Sequence, residues 1–246
     1  MPKTIEIRFY EELNDFLPQG KRKKTFPHTF SGNPTVKDII EGLGVPHVEV
    51  DLILVNDVSV SFTHKPANAD RLAVYPVFES LDISPVSRLR PEPLREPRFI
   101  LDVHLGKLAR LMRMTGFDCL YSNDAADDII IRIAAEEKRI ILTRDIGILK
   151  NGKVDRGYWI RNTNPGKQIR EVIERFDLRR HIRSFSRCMH CSGILEKVEK
   201  AEIEHLLKYG TKKCYQDFYR CTSCGKLYWK GSHVERMQQE ILNILK

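Results

Sequence analysis

Three short apolar runs between Phe99 and Thr143 constrain this chain more than any other feature. Phe99-Ile100-Leu101 ends in Asp102, and Cys119-Leu120-Tyr121 leads into Asp124-Ala125-Ala126-Asp127-Asp128. Ile140-Ile141-Leu142 leads through Thr143-Arg144 to Asp145. The intervening stretches carry helical stripes, Leu105, Leu108, Leu111 and Met112 in one and Ile130, Ile131 and Ala134 in the other. Strands alternating with helices predict a parallel α/β sheet, whose ligands bind beyond the carboxyl ends of the strands. Asp102, Asp127, Asp128 and Asp145 would then share one edge. Converging carboxylates repel unless a cation holds them, and Mg²⁺ or Mn²⁺ prefers oxygen ligands. An Asp between strand and helix is also a common N-cap, so each acid alone has two readings. Acids supplied by several strand ends favour the cation site. Asp118, at the start of its strand, belongs to the opposite edge. Asp124 reads as a turn or supporting residue, and Cys119 as core.

Residues 1–80 follow a different pattern. Ile5, Ile7 and Phe9 alternate as one face of a strand, and Lys21-Arg22-Lys23-Lys24 is a basic turn before a strand through Phe26, His28 and Phe30. Thr35 to Ile40 predicts a short helix, with Ser31, Asn33 or Thr35 as cap and Gly42 or Gly44 at its end. Leu52–Asp57 and Arg71–Pro76 are later strands. Two strands, a helix and two strands in this length predict a ubiquitin-like β-grasp domain. Its closing segment resembles the small sulfur carriers of that fold, which end in Gly-Gly. Here Phe78-Glu79-Ser80-Leu81 stands instead and the chain continues, so the handle for sulfur transfer is missing. The domain is expected to serve packing or a protein partner.

Pro85, Pro91, Pro93 and Pro97 mark residues 81–97 as a semi-extended linker, because closely spaced prolines block helix and central strand. Beyond it, residues 98–181 form the expected α/β domain. Gly157 to Ile160 is its fourth strand, and Asn164-Pro165 opens a helix running to Phe176.

Residues 182–246 hold two Cys-x-x-Cys pairs, Cys188/Cys191 and Cys221/Cys224. In a reducing compartment, paired knuckles of this kind point to metal rather than disulfide, and four thiolates suit a closed structural Zn²⁺ site. The 29 residues between the pairs exceed the usual spacing and leave room for a helix over 198–209. Gly193 and Gly225 suit the turns after each knuckle. Cys214 is the rival ligand, more simply a free thiol, and His190 should point outward. A last helix is expected over 235–245, with His233 before it as a cap or phosphate contact.

Charge divides the chain. Residues 151–246 carry 20 Lys and Arg against 11 Asp and Glu, within a total of +8, so a basic surface lies beside the acidic segment and would attract a polyanion. Lys107, Arg110 and Arg113 fall off the apolar stripe of their helix, where they could face phosphate. Thr143 and Arg144 could orient an acid or meet phosphate, or could equally be solvated strand-end residues. Lys226, Trp229 and Lys230, among Tyr215, Phe218, Tyr219 and Tyr228, could stack on and steer single-stranded RNA; several of these aromatics could equally be the core of a small domain. No apolar run approaches the roughly 20 residues that span a bilayer, and the N-terminus lacks a signal peptide's apolar core, so a cytoplasmic protein with no membrane contact is expected.

The segments FILDVHLGKLARLMRMTGFD and DDIIIRIAAEEKRIILTRD resemble the PIN-like RNase family named for the Mut-seven exonuclease C-terminal domain. RCMHC and CTSCGKLYWKGSH resemble that family's zinc-ribbon tail. With the β-grasp N-terminus, the resemblance covers nearly the whole chain. Ser192 departs from it, standing where an Asn usually follows the second cysteine, and His104 sits at a variable position. The resemblance implies a metal-dependent ribonuclease in which Asp102 is the first-strand acid, Asp128 or Asp127 leads the middle helix, and Asp145 is the acid of the Thr-x-Asp motif. The alternative is a non-catalytic RNA-binding adaptor with a silent PIN-like fold. The third reading, a phosphoryl-accepting receiver, lacks the strand-end lysine it needs; Ile160-Arg161 supplies arginine.

Overall fold

A computed structural model describes residues 1–76, 88–89 and 97–245. The stretch after residue 76 that stands in place of a Gly-Gly tail, and nearly all of the 81–97 linker, lie outside the described residues. The strands are β1 (Lys3–Phe9), β2 (Phe26–Phe30), β3 (Val50–Val55), β4 (Val58–Ser59), β5 (Arg71–Pro76) and β6 (Phe99–Leu101). They continue with β7 (Cys119–Tyr121), β8 (Ile140–Thr143), β9 (Gly157–Trp159), β10 (Leu195–Val198), β11 (Phe218–Cys221) and β12 (Leu227–Trp229). The α-helices are α1 (Val36–Gly42), α2 (Gly106–Met114), α3 (Asp127–Glu137) and α4 (Ile146–Leu149). They are followed by α5 (Pro165–Arg175), α6 (Lys200–Ile203), α7 (Tyr209–Cys214) and α8 (Ser232–Leu245).

The chain divides into two compact units, residues 1–96 with 145–159, and residues 97–144 with 160–246. In the first, a mixed sheet of order β2-β1-β5-β3-β4 is β-grasp-like, with β1 parallel to β5 and antiparallel to β2. The alternation of β1 buries Ile5, Ile7 and Phe9, which are at most 1% exposed, against Val36 and Ile40 of α1. Burying such side chains contributes about 1.5–3 kcal/mol each, which makes this face the stabilising one. Thr35 caps α1 through a capping box with Asp38, and the helix ends at Gly42. The hydrogen bonds from Thr35 hold the Asp38 carboxyl below its usual range.

Segment 145–159, expected within the α/β domain, groups with this first unit. Glu49 explains part of that. The buried Glu49 carboxylate accepts the Trp159 N–H at 2.6 Å, and a His47 ring nitrogen lies 2.9 Å from the Val154 carbonyl. Lys150 donates to the Glu41 carbonyl, and the Phe16 and Trp159 rings approach to 5.1 Å.

In the second unit β6 runs parallel to both β7 and β8, with Leu101 opposite Tyr121 and Leu142. β6 and β8 carry only buried residues, as strands of a parallel sheet flanked by helices do, whereas β7 buries Cys119 alone. Asp102, Ser122 and Thr143 therefore follow at one edge. Asn164 caps α5 by accepting the Lys167 N–H, with Pro165 at the first helical position, as the sequence predicts. The C-terminal strands form an antiparallel sheet of order β10-β11-β12. The helix expected over 198–209 is instead two short helices, α6 and α7, separated by a 3₁₀ turn at Glu204–Leu206. Among the described residues, no helix is long and apolar enough to cross a membrane.

Candidate functional site

Asp102 takes the N-terminal position of a 3₁₀ turn, Val103–Leu105, yet its side chain makes no capping hydrogen bond. It is only 3% exposed, and the Thr143 hydroxyl donates to Oδ2 at 2.7 Å. Among the described residues it has no ion pair. Burying a carboxylate without a cationic partner costs several kcal/mol, and a protein keeps such a group where chemistry requires it. Tyr121 closes the edge beside it by donating to the Val103 carbonyl at 3.0 Å. The tyrosine oxygen would lie 2.6 Å from a Cβ at position 106, which is why that position is glycine.

Asp127 and Asp128 are exposed and occupy the first turn of α3, whose N-cap is Ala126. Neither serves as the helix cap. Asp124 is exposed and accepts from the Ser122 hydroxyl, the local turn bond expected of it. Asp118 is paired with Arg139 at 2.8 Å and Arg187 at 3.4 Å, away from this edge. Asp145 belongs to the other compact unit. Its carboxylate accepts the Gly147 N–H at 2.7 Å and caps the four-residue α4.

Two arginines expected to meet phosphate are committed to the fold. Arg113 is 6% exposed: it donates to the Cys119 carbonyl at 3.0 Å and to the carbonyls of Met189 and His190 at 3.2 and 2.8 Å. It faces inward because a cysteine-bearing loop packs on the end of α2 and leaves carbonyls that need donors. Arg144 donates to three successive carbonyls, Ile160, Arg161 and Asn162, at 3.1, 3.0 and 2.7 Å. The same loop is held from the other side by Glu171, which accepts the N–H groups of Arg161 and Asn162. Because Ile160 also donates to the Thr143 carbonyl at 2.8 Å, this clamp stiffens the backbone next to the Asp102 partner. Glu171 lies mid-helix with no motif around it, so nothing in the sequence singles it out. Lys107 and Arg110 are exposed on α2, as expected.

The cysteines are placed as the spacing predicts. Cys188, Cys191, Cys221 and Cys224 have sulfurs all within 4.8 Å of one another, with 188–224 and 191–221 at 3.6 and 3.5 Å. A tetrahedral Zn²⁺ with Zn–S bonds of about 2.3 Å separates its thiolates by roughly 3.8 Å, so donor set and spacing fit that ion. Burial raises the Cys188 thiol, but hydrogen bonds outweigh it, among them one with the Tyr228 hydroxyl at 3.1 Å, and hold it at about 6. Burial pushes Cys191 up to about 12. Four thiolates this close need a cation between them. Gly193 is required here because a Cβ would stand 2.7 Å from the Cys221 sulfur. Among the described residues these cysteines are the only group of three or more His, Cys, Asp or Glu whose ligand atoms gather this closely; the carboxylates of Asp102, Asp127 and Asp128 do not.

The remaining cysteines and aromatics sort themselves. Cys214 is free and exposed, not a ligand, and Cys119 is buried with its thiol pushed up to about 12 by burial. Ser192 is 3% exposed in the left-handed region (φ +67°), and its hydroxyl accepts the Cys119 N–H at 2.8 Å. Phe218 is core, Tyr228 serves Cys188, and Trp229 sits at 36% exposure near Tyr215 and Phe218. Lys226, Lys230 and His190 are exposed. His233 falls in the first turn of α8, which starts three residues before the expected boundary; its side chain lies outside the described residues.

The fold and site thus define a class: a short parallel α/β sheet with a buried acid at its carboxyl edge, followed by four cysteines placed to bind a metal. The chain belongs to the Mut7-C RNAse domain family, whose model matches residues 97–241, more than half its length. The Mut7-C ubiquitin model matches residues 2–82. Two crystal structures of small archaeal modifier protein 1 from Haloferax volcanii are similar to part of the chain, at 20% and 19% identity. They cover 31% and 32% of this chain and 99% of their own, each with a TM-score of 0.25. No curated protein matches.

Proposed function

We propose that this protein is a metal-dependent ribonuclease that hydrolyses RNA phosphodiester bonds at the carboxyl edge of β6, β7 and β8. The observation carrying the reading is Asp102: a buried, non-capping carboxylate without a cationic partner among the described residues, in a domain of a ribonuclease family. Asp102, Asp127 and Asp128 supply the hard oxygen donors that suit Mg²⁺ or Mn²⁺ and would hold it. When bound, such an ion supplies Lewis acidity and activated water for in-line displacement at phosphorus. The chain does the positioning. Thr143 donates to one oxygen of Asp102 and restrains the carboxylate. The Arg144 and Glu171 clamp keeps the neighbouring loop from collapsing onto that edge. The four-cysteine centre, with no open position, is structural.

One observation favours the second reading, a non-catalytic RNA-binding adaptor: the three carboxylates are not gathered as the cysteines are. Cleavage of a labelled single-stranded RNA by the full chain with Mn²⁺ or Mg²⁺, repeated with Asp102→Asn, separates the two. Metal-dependent cleavage lost in the variant supports the ribonuclease. RNA binding with no cleavage under either metal supports the adaptor.

A further inference from the structure

A cavity of about 880 Å³ opens between α2, the N-terminal turn of α5, and α8. Lys107, Arg110, Lys167, Arg170 and Arg236 line it, and none of its described lining residues is acidic. Two of these cations sit three residues apart on α2 and two on α5, so each helix presents a pair to the same space. The first turn of the eleven-residue α5 adds its N-terminal partial charge. Helix α8 closes the third side. Its Met237 and Ile241 are buried, Arg110 reaches the Met237 sulfur at 3.8 Å, and Arg170 donates to the Asn243 carbonyl at 3.1 Å.

Five cations lining one cavity give it a positive potential that attracts a polyanion. The volume is near the upper end of the roughly 300–1,000 Å³ typical of ligand pockets, far more than one phosphate fills. We propose that this cavity binds the sugar-phosphate backbone of an RNA strand through at least two successive phosphates, Lys167, Arg170 and Arg236 acting with Lys107 and Arg110. The inference rests on the reading of the chain as acting on RNA, but it concerns binding and not cleavage.

The test uses the full chain in buffer without divalent ions, where binding is read without hydrolysis. Affinity for a fluorescein-labelled single-stranded oligouridylate is measured against salt for the wild type and for K107A/R110A/K167A/R170A. The expected result is a loss of at least tenfold at low salt. The slope of log affinity on log salt should flatten by nearly three, about 0.7 per cation removed. The charge-conserving variant K107R/R110K/K167R/R170K should stay within about threefold of wild type, which shows that the loss follows charge. Unchanged affinity and slope in the alanine variant would overturn the proposal. So would an equal loss in the charge-conserving variant, or displacement of the RNA by poly-glutamate at lower concentration than by unlabelled RNA. A chain that binds in this way but never cleaves would keep this inference and defeat the ribonuclease. A chain that cleaves, but whose alanine variant binds normally, would do the reverse.

Discussion

Two regions of this protein carry side chains of the kinds that ligate cations, and the fold brings only one of the two sets together. The four cysteines arrive as two pairs on tight turns, and each pair's geometry is set within a few residues by Gly193 and Gly225. Only one strand pairing, β10 with β11, is needed to bring the pairs together. The acids come singly from separate strand ends. Asp102 is buried against Thr143, Asp127 and Asp128 stand exposed on a helix, and Asp145 caps α4. A closed structural centre can be assembled from short-range rules. Bare carboxylates repel one another without an ion, and among the described residues Asp102, Asp127 and Asp128 are not gathered as the cysteines are.

Removing the metal should have the largest effect and shows which region needs its ion to fold. Cys221→Ser, or chelation, should unfold the ribbon, since structural zinc contributes about 10–16 kcal/mol in small ribbons and fingers. Metal content and the melting of the 182–246 segment check this; a variant that melts like wild type would make the cysteines incidental. Next comes Asp102→Asn, nearly isosteric and still able to accept from Thr143. It should lower RNA cleavage at least 100-fold, about 2.7 kcal/mol in the barrier, while the melting temperature holds or rises. A rise fits a buried charge that opposes folding; a clear fall would make Asp102 structural and weaken the contrast.

Arg113→Ala probes the seam joining the ribbon to the α/β sheet. It leaves one buried and two partly buried carbonyls short of donors and should cost about 3 kcal/mol in denaturant unfolding, with RNA affinity nearly unchanged. A large affinity loss at unchanged stability would return Arg113 to the phosphate contacts. The smallest effect is expected at Asp145. Asp145→Ala should lose the α4 cap and about 1 kcal/mol, whereas Asp145→Ser keeps a cap. Cleavage at wild-type rate by the serine variant would leave Asp145 a cap alone. A 100-fold loss would place it in catalysis.

Much of the site was legible because it is local. Alternation in β1, the apolar stripes of α2 and α3, the Asn164-Pro165 start of α5 and both cysteine knuckles each depend on a few neighbouring residues. Arg113 and Arg144 misled for one reason. An off-stripe place on α2 for Arg113 and a strand-end place for Arg144 say where each leaves the backbone, but not that carbonyls from distant loops await them there. The role of Glu171, the choice of Asp102 as the acid that Thr143 meets, and the cation-lined cavity each depend on residues far apart in the chain.

From its residues alone, this chain sets a β-grasp-like start, a strand–helix alternation and a zinc-type cysteine frame, since periodicity, capping and knuckle spacing act over a turn or two. The three-dimensional arrangement decides which acid stays unspent, which arginines are consumed, and that segment 145–159 groups with the N-terminal unit. Those outcomes turn on which buried polar groups find partners. A donor and an acceptor dozens of residues apart carry no pattern until packing brings them within 3 Å.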